Sequence, residues 1–123
     1  MIFNILISNV DDHLRNHGFL WTGTSGWTLS PAYDLNPTPT DLKPRILSTN
    51  ISLDEGTCSI ELALSQADLF GVTRKDSNAI VREVGMAVSS WNDVAKRVGL
   101  SKAPIDRMSS AFDHKDLADA IKM

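Results

Sequence analysis

Positive charge is scarce in the first half of this chain. Residues 1–64 hold three Lys/Arg against seven Asp/Glu, a balance of −4, while residues 65–123 hold nine against eight, or +1. The overall charge of −3 lacks the basic footprint of a general nucleic-acid binder. Cysteine is nearly absent. With Cys58 alone, no disulfide framework can form within the chain, which suits a reducing cytoplasm. Cys58 also has no basic neighbour in sequence and reads as inert. No apolar run reaches the ~18 residues needed to cross a bilayer. The N-terminus has no basic stretch ahead of its apolar run, so it is not a signal peptide. There are no internal repeats and no low-complexity segments. Glycine-rich phosphate loops are missing too, and the first lysine is Lys43.

What is present is enough apolar material, 42% of 123 residues, for one domain with a core. "MIFNILISN" opens the chain, and its Ile2, Phe3, Leu6 and Ile7 fit one helical face, although a buried strand has the same composition. No N-cap precedes it, so it reads as the end of a longer helix. "GFLW", "TGTSG" and "WTLS" follow, predicting a hairpin over residues 19–29, with Trp21 and Trp27 packed across the strands. Pro31, Pro37, Pro39 and Pro44 make the next segment an extended loop. "ILSTNISLD" reads as a strand or an ordered loop, and "EGTCSIELAL" has no clear period.

From Ser65 the pattern turns helical. "SQADLFG" predicts a short helix capped by Ser65 and stopped by Gly71. Thr73, with Asp76 three residues on, caps a long helix predicted to run unbroken to Gly99, about 25 residues or roughly 37 Å. Its stripe of Ile80, Val84, Ala87, Val88, Trp91, Val94, Ala95 and Val98 faces a core. Ser101 caps another helix with Ile105, Met108 and Phe112 inward, and "DHKDLADAIK" forms a last helix or a fraying tail. The fold class is therefore mainly α (α+β), as one domain in two parts. Residues 1–64 bear the polar motifs, and residues 65–123 form a helical scaffold.

The chemistry concentrates in "ISNVDDHLRN", where ligand-type side chains follow directly on an apolar run. Excess carboxylate with few local cations suits a divalent metal or a metal–phosphate complex; a solvated surface is the competing reading. Asp11 and Asn16 have the spacing of a kinase catalytic loop, in which the aspartate takes a hydroxyl proton and the asparagine oxygen binds Mg²⁺. In such enzymes a short hairpin then returns the chain to a second aspartate, the main Mg²⁺ ligand. Here the hairpin leads to Asp34 in "SPAYDL". Asp12 reads as a loop cap accepting backbone N–H bonds; the alternatives are that it assists the base or binds metal. His13 either orients Asp11, contacts phosphate or is purely structural. Arg15 is a surface charge or a phosphate contact. His13 and His17, with Asp11 or Asp12, allow a rival transition-metal hydrolase site if the segment is helical. Trp91 reads as core.

"FNILISNVDDHLRNHGF" followed by "LSPAYDLNP", and further on "STNISL" and "IVREVGMAVSSWNDVAKRVGLS", resemble the C-terminal lobe of the HipA-like serine/threonine kinases, the toxins of toxin–antitoxin pairs. The resemblance implies a helical kinase C-lobe-like fold with a small β-hairpin after the catalytic loop. It implies Asp11 as catalytic base, Asn16 as metal and phosphate ligand, Asp34 as principal Mg²⁺ ligand, and ATP as phosphoryl donor to a protein substrate. It also implies a HipB-like, DNA-binding helix-turn-helix antitoxin as partner. These kinases carry an N-terminal lobe whose phosphate loop and lysine have no counterpart in these 123 residues. The expectation is a fragment inactive alone, or an interaction subunit that docks with a separate N-lobe chain. A homodimer through exposed Ile2, Phe3 and Ile7 of the N-terminal helix is expected for the same reason.

Overall fold

In the computed structural model, which describes residues 1–123, Ile5, Leu6, Ile60 and Val81 lose almost all contact with solvent. Each such side chain contributes about 1.5–3 kcal/mol by burial. They sit in one core of 13 buried residues drawn from both ends of the chain, from Ile5 to Ala120. The secondary structure is mainly helical, with one small two-stranded antiparallel sheet. No helix is long and apolar enough to cross a membrane.

Helix α1 is short, Ile2–Leu6. Its buried side is Asn4, Ile5 and Leu6, continued by Ile7. Phe3 is 41% exposed, so the predicted face is rotated. The reason is that α1 is enclosed by three neighbours, α2 (Ile60–Ser65), α3 (Arg74–Ser89) and α6 (Lys115–Lys122). Ile7 is buried, contrary to the exposure expected from the sequence.

The predicted hairpin is present. Strands β1 (Phe19–Trp21) and β2 (Trp27–Leu29) pair with Phe19 opposite Leu29 and Trp21 opposite Trp27. The two indoles meet edge to face, 5.4 Å apart, the favoured aromatic geometry. All six strand residues are exposed, so the sheet stands off the core.

Two helical boundaries differ from the sequence reading. The first is α2, capped by the Ser59 hydroxyl, which accepts from Leu62 N–H. Ser65 is its last residue rather than a cap, and only a 3₁₀ turn, Ala67–Phe70, follows before Gly71 closes it in the left-handed region. The second is the long helix, which breaks at Ser90 into α3 and α4 (Trp91–Arg97). The Ser89 and Ser90 hydroxyls donate back to the carbonyls of Met86 and Ala87, competing with the helical ladder. The break lets Trp91 stack on Phe112 of α5 (Lys102–Phe112), with centroids 4.5 Å apart, and donate to Asp113. Trp91 is thus half-buried at an edge, not core. Thr73 caps α3 as expected, accepting from Asp76 N–H and donating to its carboxylate. Helices α3 and α6 make the most extensive helix pair. They approach so closely at Gly85 that a Cβ there would lie 2.9 Å from that of Ala120.

Candidate active site

The polar stretch after α1 is held from below by buried bonds. Ser8 is fully buried with φ of +54°, unusual for a residue with a Cβ. Its hydroxyl donates to Ala111 O at 2.8 Å and accepts from Arg45 Nε at 3.0 Å. Arg45 also reaches Ile5 O at 2.9 Å and the Asp116 carboxylate at 2.7 Å. The other Asp116 oxygen accepts from Ile60 N–H. One guanidinium thus ties the end of α1 to α6. Further along, Val10 O accepts from the Ser48 amide and hydroxyl, and Asp12 O from the Thr49 hydroxyl. The stretch from Arg45 to Thr49, just after the proline-rich segment, is therefore a clasp around residues 5–12 made without regular structure.

A second chain of bonds leads to Asp34. Buried Asn9 donates to Asn4 Oδ1 at 3.1 Å and accepts from the Asn36 amide at 3.3 Å. The Asn36 side chain donates to Asp34 Oδ1 at 2.6 Å. Asp34 itself has φ of +56°. A non-glycine residue held there by its surroundings is a form of strain that clusters at functional sites. Oδ2 of Asp34 is left for another partner.

Asp11 is exposed. A 3₁₀ turn over Leu14–Asn16 follows it, and Asn16 Nδ2 reaches back to Asp11 O at 3.4 Å, which leaves the amide oxygen for another group. The hairpin brings the chain back to this loop, and the Tyr33 hydroxyl donates to Arg15 O at 2.8 Å. Asn16 and Asp34 are each the next residue after that bonded pair. Arg15 is exposed and contributes its carbonyl. His13 is half-buried, and its Nδ1 is buried without a partner.

Asp12 departs from the sequence reading. It is buried, but its carboxylate accepts no backbone N–H; the Asp12 bond to Thr49 runs through the main-chain oxygen. His17 Nε2 approaches it only to 3.6 Å. The transition-metal site does not form. The 13–17 segment is not an α-helix, His17 Nδ1 faces the His13 carbonyl at 3.3 Å, and no three His, Cys, Asp or Glu side chains gather closely enough to hold a metal. Cys58 is buried, and burial pushes its thiol up to about 11, so it is inert as expected. Sequence reasoning missed Ser8, Asn4, Asn9, Asn36 and Arg45. Asn4, a lone amide inside the apolar "MIFNIL", is the one signal that pointed to a buried polar network.

A cavity of about 340 Å³ lies between α1, this loop and the exit of the hairpin, with Asn4, Asp12, Asn16, His17 and Ser30 as its polar lining. A larger and almost wholly apolar groove of about 370 Å³ runs between Ile7, Trp91, Ile105 and Phe112 and shares only Phe3 with it.

No curated protein and no solved structure matches the chain. The family described as HipA-like C-terminal domain matches residues 1–91, a span that includes the loop, the hairpin, Asp34 and the clasp as well as α2 and α3. On that match over most of its length, the chain belongs to the HipA-like C-terminal domain family.

Proposed function

We propose that this chain carries the catalytic-base and metal-holding segment of a serine/threonine kinase, which moves a phosphoryl group from ATP to a protein hydroxyl. The observation that carries the reading is the return of the hairpin onto the loop, closed by the Tyr33–Arg15 bond, with Asp34 held in a strained conformation next to it. In this reading Asp11 is exposed for a substrate hydroxyl and accepts its proton. Asn16 and Asp34 would hold Mg²⁺, since an amide oxygen and a carboxylate are hard donors suited to Mg²⁺ or Mn²⁺ rather than Zn²⁺. When bound, the ion neutralises charge on the transferring phosphoryl group. His13 faces the phosphates, consistent with a ring nitrogen that the protein leaves unpaired. A HipB-like DNA-binding antitoxin, a protein substrate and a cytoplasmic setting belong to the same reading. So does a second chain supplying the phosphate loop and lysine that these 123 residues lack.

Paramagnetic Mn²⁺ tests the metal pair directly. Added to the ¹⁵N-labelled chain, it is expected to broaden the amides around Asn16 and Asp34 first, and Asp34→Asn is expected to abolish that selectivity. Broadening that spares both positions at millimolar Mn²⁺ would sink the assignment.

A further inference from the structure

One face of the hairpin is apolar and open to water. Ser30 N–H donates to Gly18 O, and Thr22 N–H to Gly26 O. By the antiparallel alternation, Phe19–Leu29 and Trp21–Trp27 are the pairs between ladder bonds, where side chains lie closest. Strand periodicity puts these four on one face, and the edge-to-face indoles show the two strands' side chains meeting there. Leu20 and Thr28 take the opposite face. The four are 59–67% exposed. Aromatic side chains present about 150–250 Å² each, so the quartet leaves roughly 400–600 Å² of contiguous apolar surface in water. That is the upper end of what a soluble monomer shows. A two-stranded hairpin is itself marginal in water unless something packs on it.

Charge and area together say what covers this face. The 16 residues from Gly18 to Tyr33 contain no Asp, Glu, Lys, Arg or His, in a chain that is 22% charged. Exposed strands are commonly guarded by charge against association, and these are not. A two-fold interface lays a patch on its own copy, so a charge near the axis would meet its like. A charge-free patch escapes that repulsion. An unlike partner is steered and held in register by complementary charge, and the hairpin offers none. A bilayer holds apolar side chains best with Lys/Arg beside them, yet residues 1–64 balance to −4. Two copies face to face would bury roughly 800–1,200 Å² in total, around the ~1,000 Å² that a specific interface requires. We infer that the hairpin is the contact of a homodimer, in which Phe19, Trp21, Trp27 and Leu29 stack on the same four residues of a second copy about a two-fold axis. The indoles of both copies would fill its centre, and tryptophan is enriched at such hot spots. This inference goes beyond the phosphotransfer reading and does not depend on it.

The test is sedimentation of the 123-residue chain over ~1–300 µM, since an interface of this size suits a micromolar dimer. Twice the 13.5 kDa chain mass is expected at the upper end. Trp27→Lys is expected to weaken association roughly tenfold or more, and Thr28→Lys, on the opposite face, less than about threefold. Circular dichroism checks that both variants keep the helical fold. NMR of the wild-type chain needs no variant: the indole N–H signals of Trp21 and Trp27 are expected to shift with concentration while that of Trp91 stays fixed. A monomer throughout the range would overturn the proposal. So would a dimer that a folded Trp27→Lys chain retains, one that Thr28→Lys disperses equally, or a concentration shift that spares Trp21 and Trp27. A monomeric chain that instead partitions into phosphatidylcholine vesicles would give the face to lipid and overturn the second copy as occupant.

Discussion

His114 caps α6 with an imidazole, and both of its nitrogens are occupied. Nδ1 accepts from Leu117 N–H at 3.3 Å, and Nε2–H donates to Leu6 O at 3.1 Å. A second proton would have to sit on Nδ1, where an N–H already points. Burial pushes the pKa below its usual value, the Arg45 charge adds to this, and Asp116 opposes it. The folded state therefore favours the neutral ring more than the unfolded chain does. The sign follows from that. The stabilisation is fully present above the unfolded pKa of about 6.5, and it is lost as pH falls below that value toward the lower folded pKa. Within this window one proton changes stability by at most about 1.4 kcal/mol per pH unit. His114→Asn retains a good cap, loses the bond to Leu6 O and does not titrate. At pH 7.5 it is expected to be about 1–2 kcal/mol less stable than wild type. Urea unfolding followed by circular dichroism from pH 7.5 to 5 gives both curves. Carboxylates titrate alike in the two proteins and cancel in the difference. The gap is expected to close as pH falls; parallel curves across the range would refute the neutral-cap argument.

Three further outcomes are expected. Arg45→Met removes the bonds to Ser8, Ile5 and Asp116 and leaves the Asp116 carboxylate partly buried, at a cost of about 3 kcal/mol; a loss under 1 kcal/mol in urea unfolding would contradict the clasp. Gly85→Ala gains about 1 kcal/mol in helix propensity, but it drives a methyl to 2.9 Å from Ala120 Cβ and 3.3 Å from its carbonyl carbon. Overpacking costs about 1–3 kcal/mol, so a net loss in melting temperature is expected, and a gain would show that α3 and α6 part easily. The purified 123-residue chain is expected to show no ATP turnover above a boiled control, since it lacks a phosphate loop and its lysine. Turnover abolished by Asp11→Asn would show that this segment suffices.

Features written in local chemistry were legible. The capping pair Thr73 and Asp76, the left-handed stop at Gly71 and the Trp21–Trp27 hairpin all stood out, because each depends on residues within a few positions. Helix α2 was missed because Ile60, Ala63 and Leu64 are too few to establish a period. The break at Ser90 was missed because the apolar stripe continues across it, while the serine back-bonds and the Trp91–Phe112 stack that fix it involve hydroxyl rotamers and a partner 21 positions away. In the candidate site, the motif residues Asp11, Asn16 and Asp34 were readable as spacing. Their supports were not. The left-handed backbone at Ser8 and Asp34, the Asn4–Asn9–Asn36 relay and the Arg45 clasp depend on contacts made only after folding.

The anchoring of Ser8 sets an order of events in synthesis. The carbonyl that receives its hydroxyl belongs to Ala111, 103 positions later, and the acid that orients Arg45 belongs to Asp116. Contacts so distant along the chain form slowly, because a large loop must close before they reward it. The residues around Asp11 leave the ribosome first, yet they gain their footing only once residue 116 has emerged. A nascent chain stalled before that point would carry every motif residue without the rigid base beneath them, so competence would come from translating residue 116 and not from translating the motif.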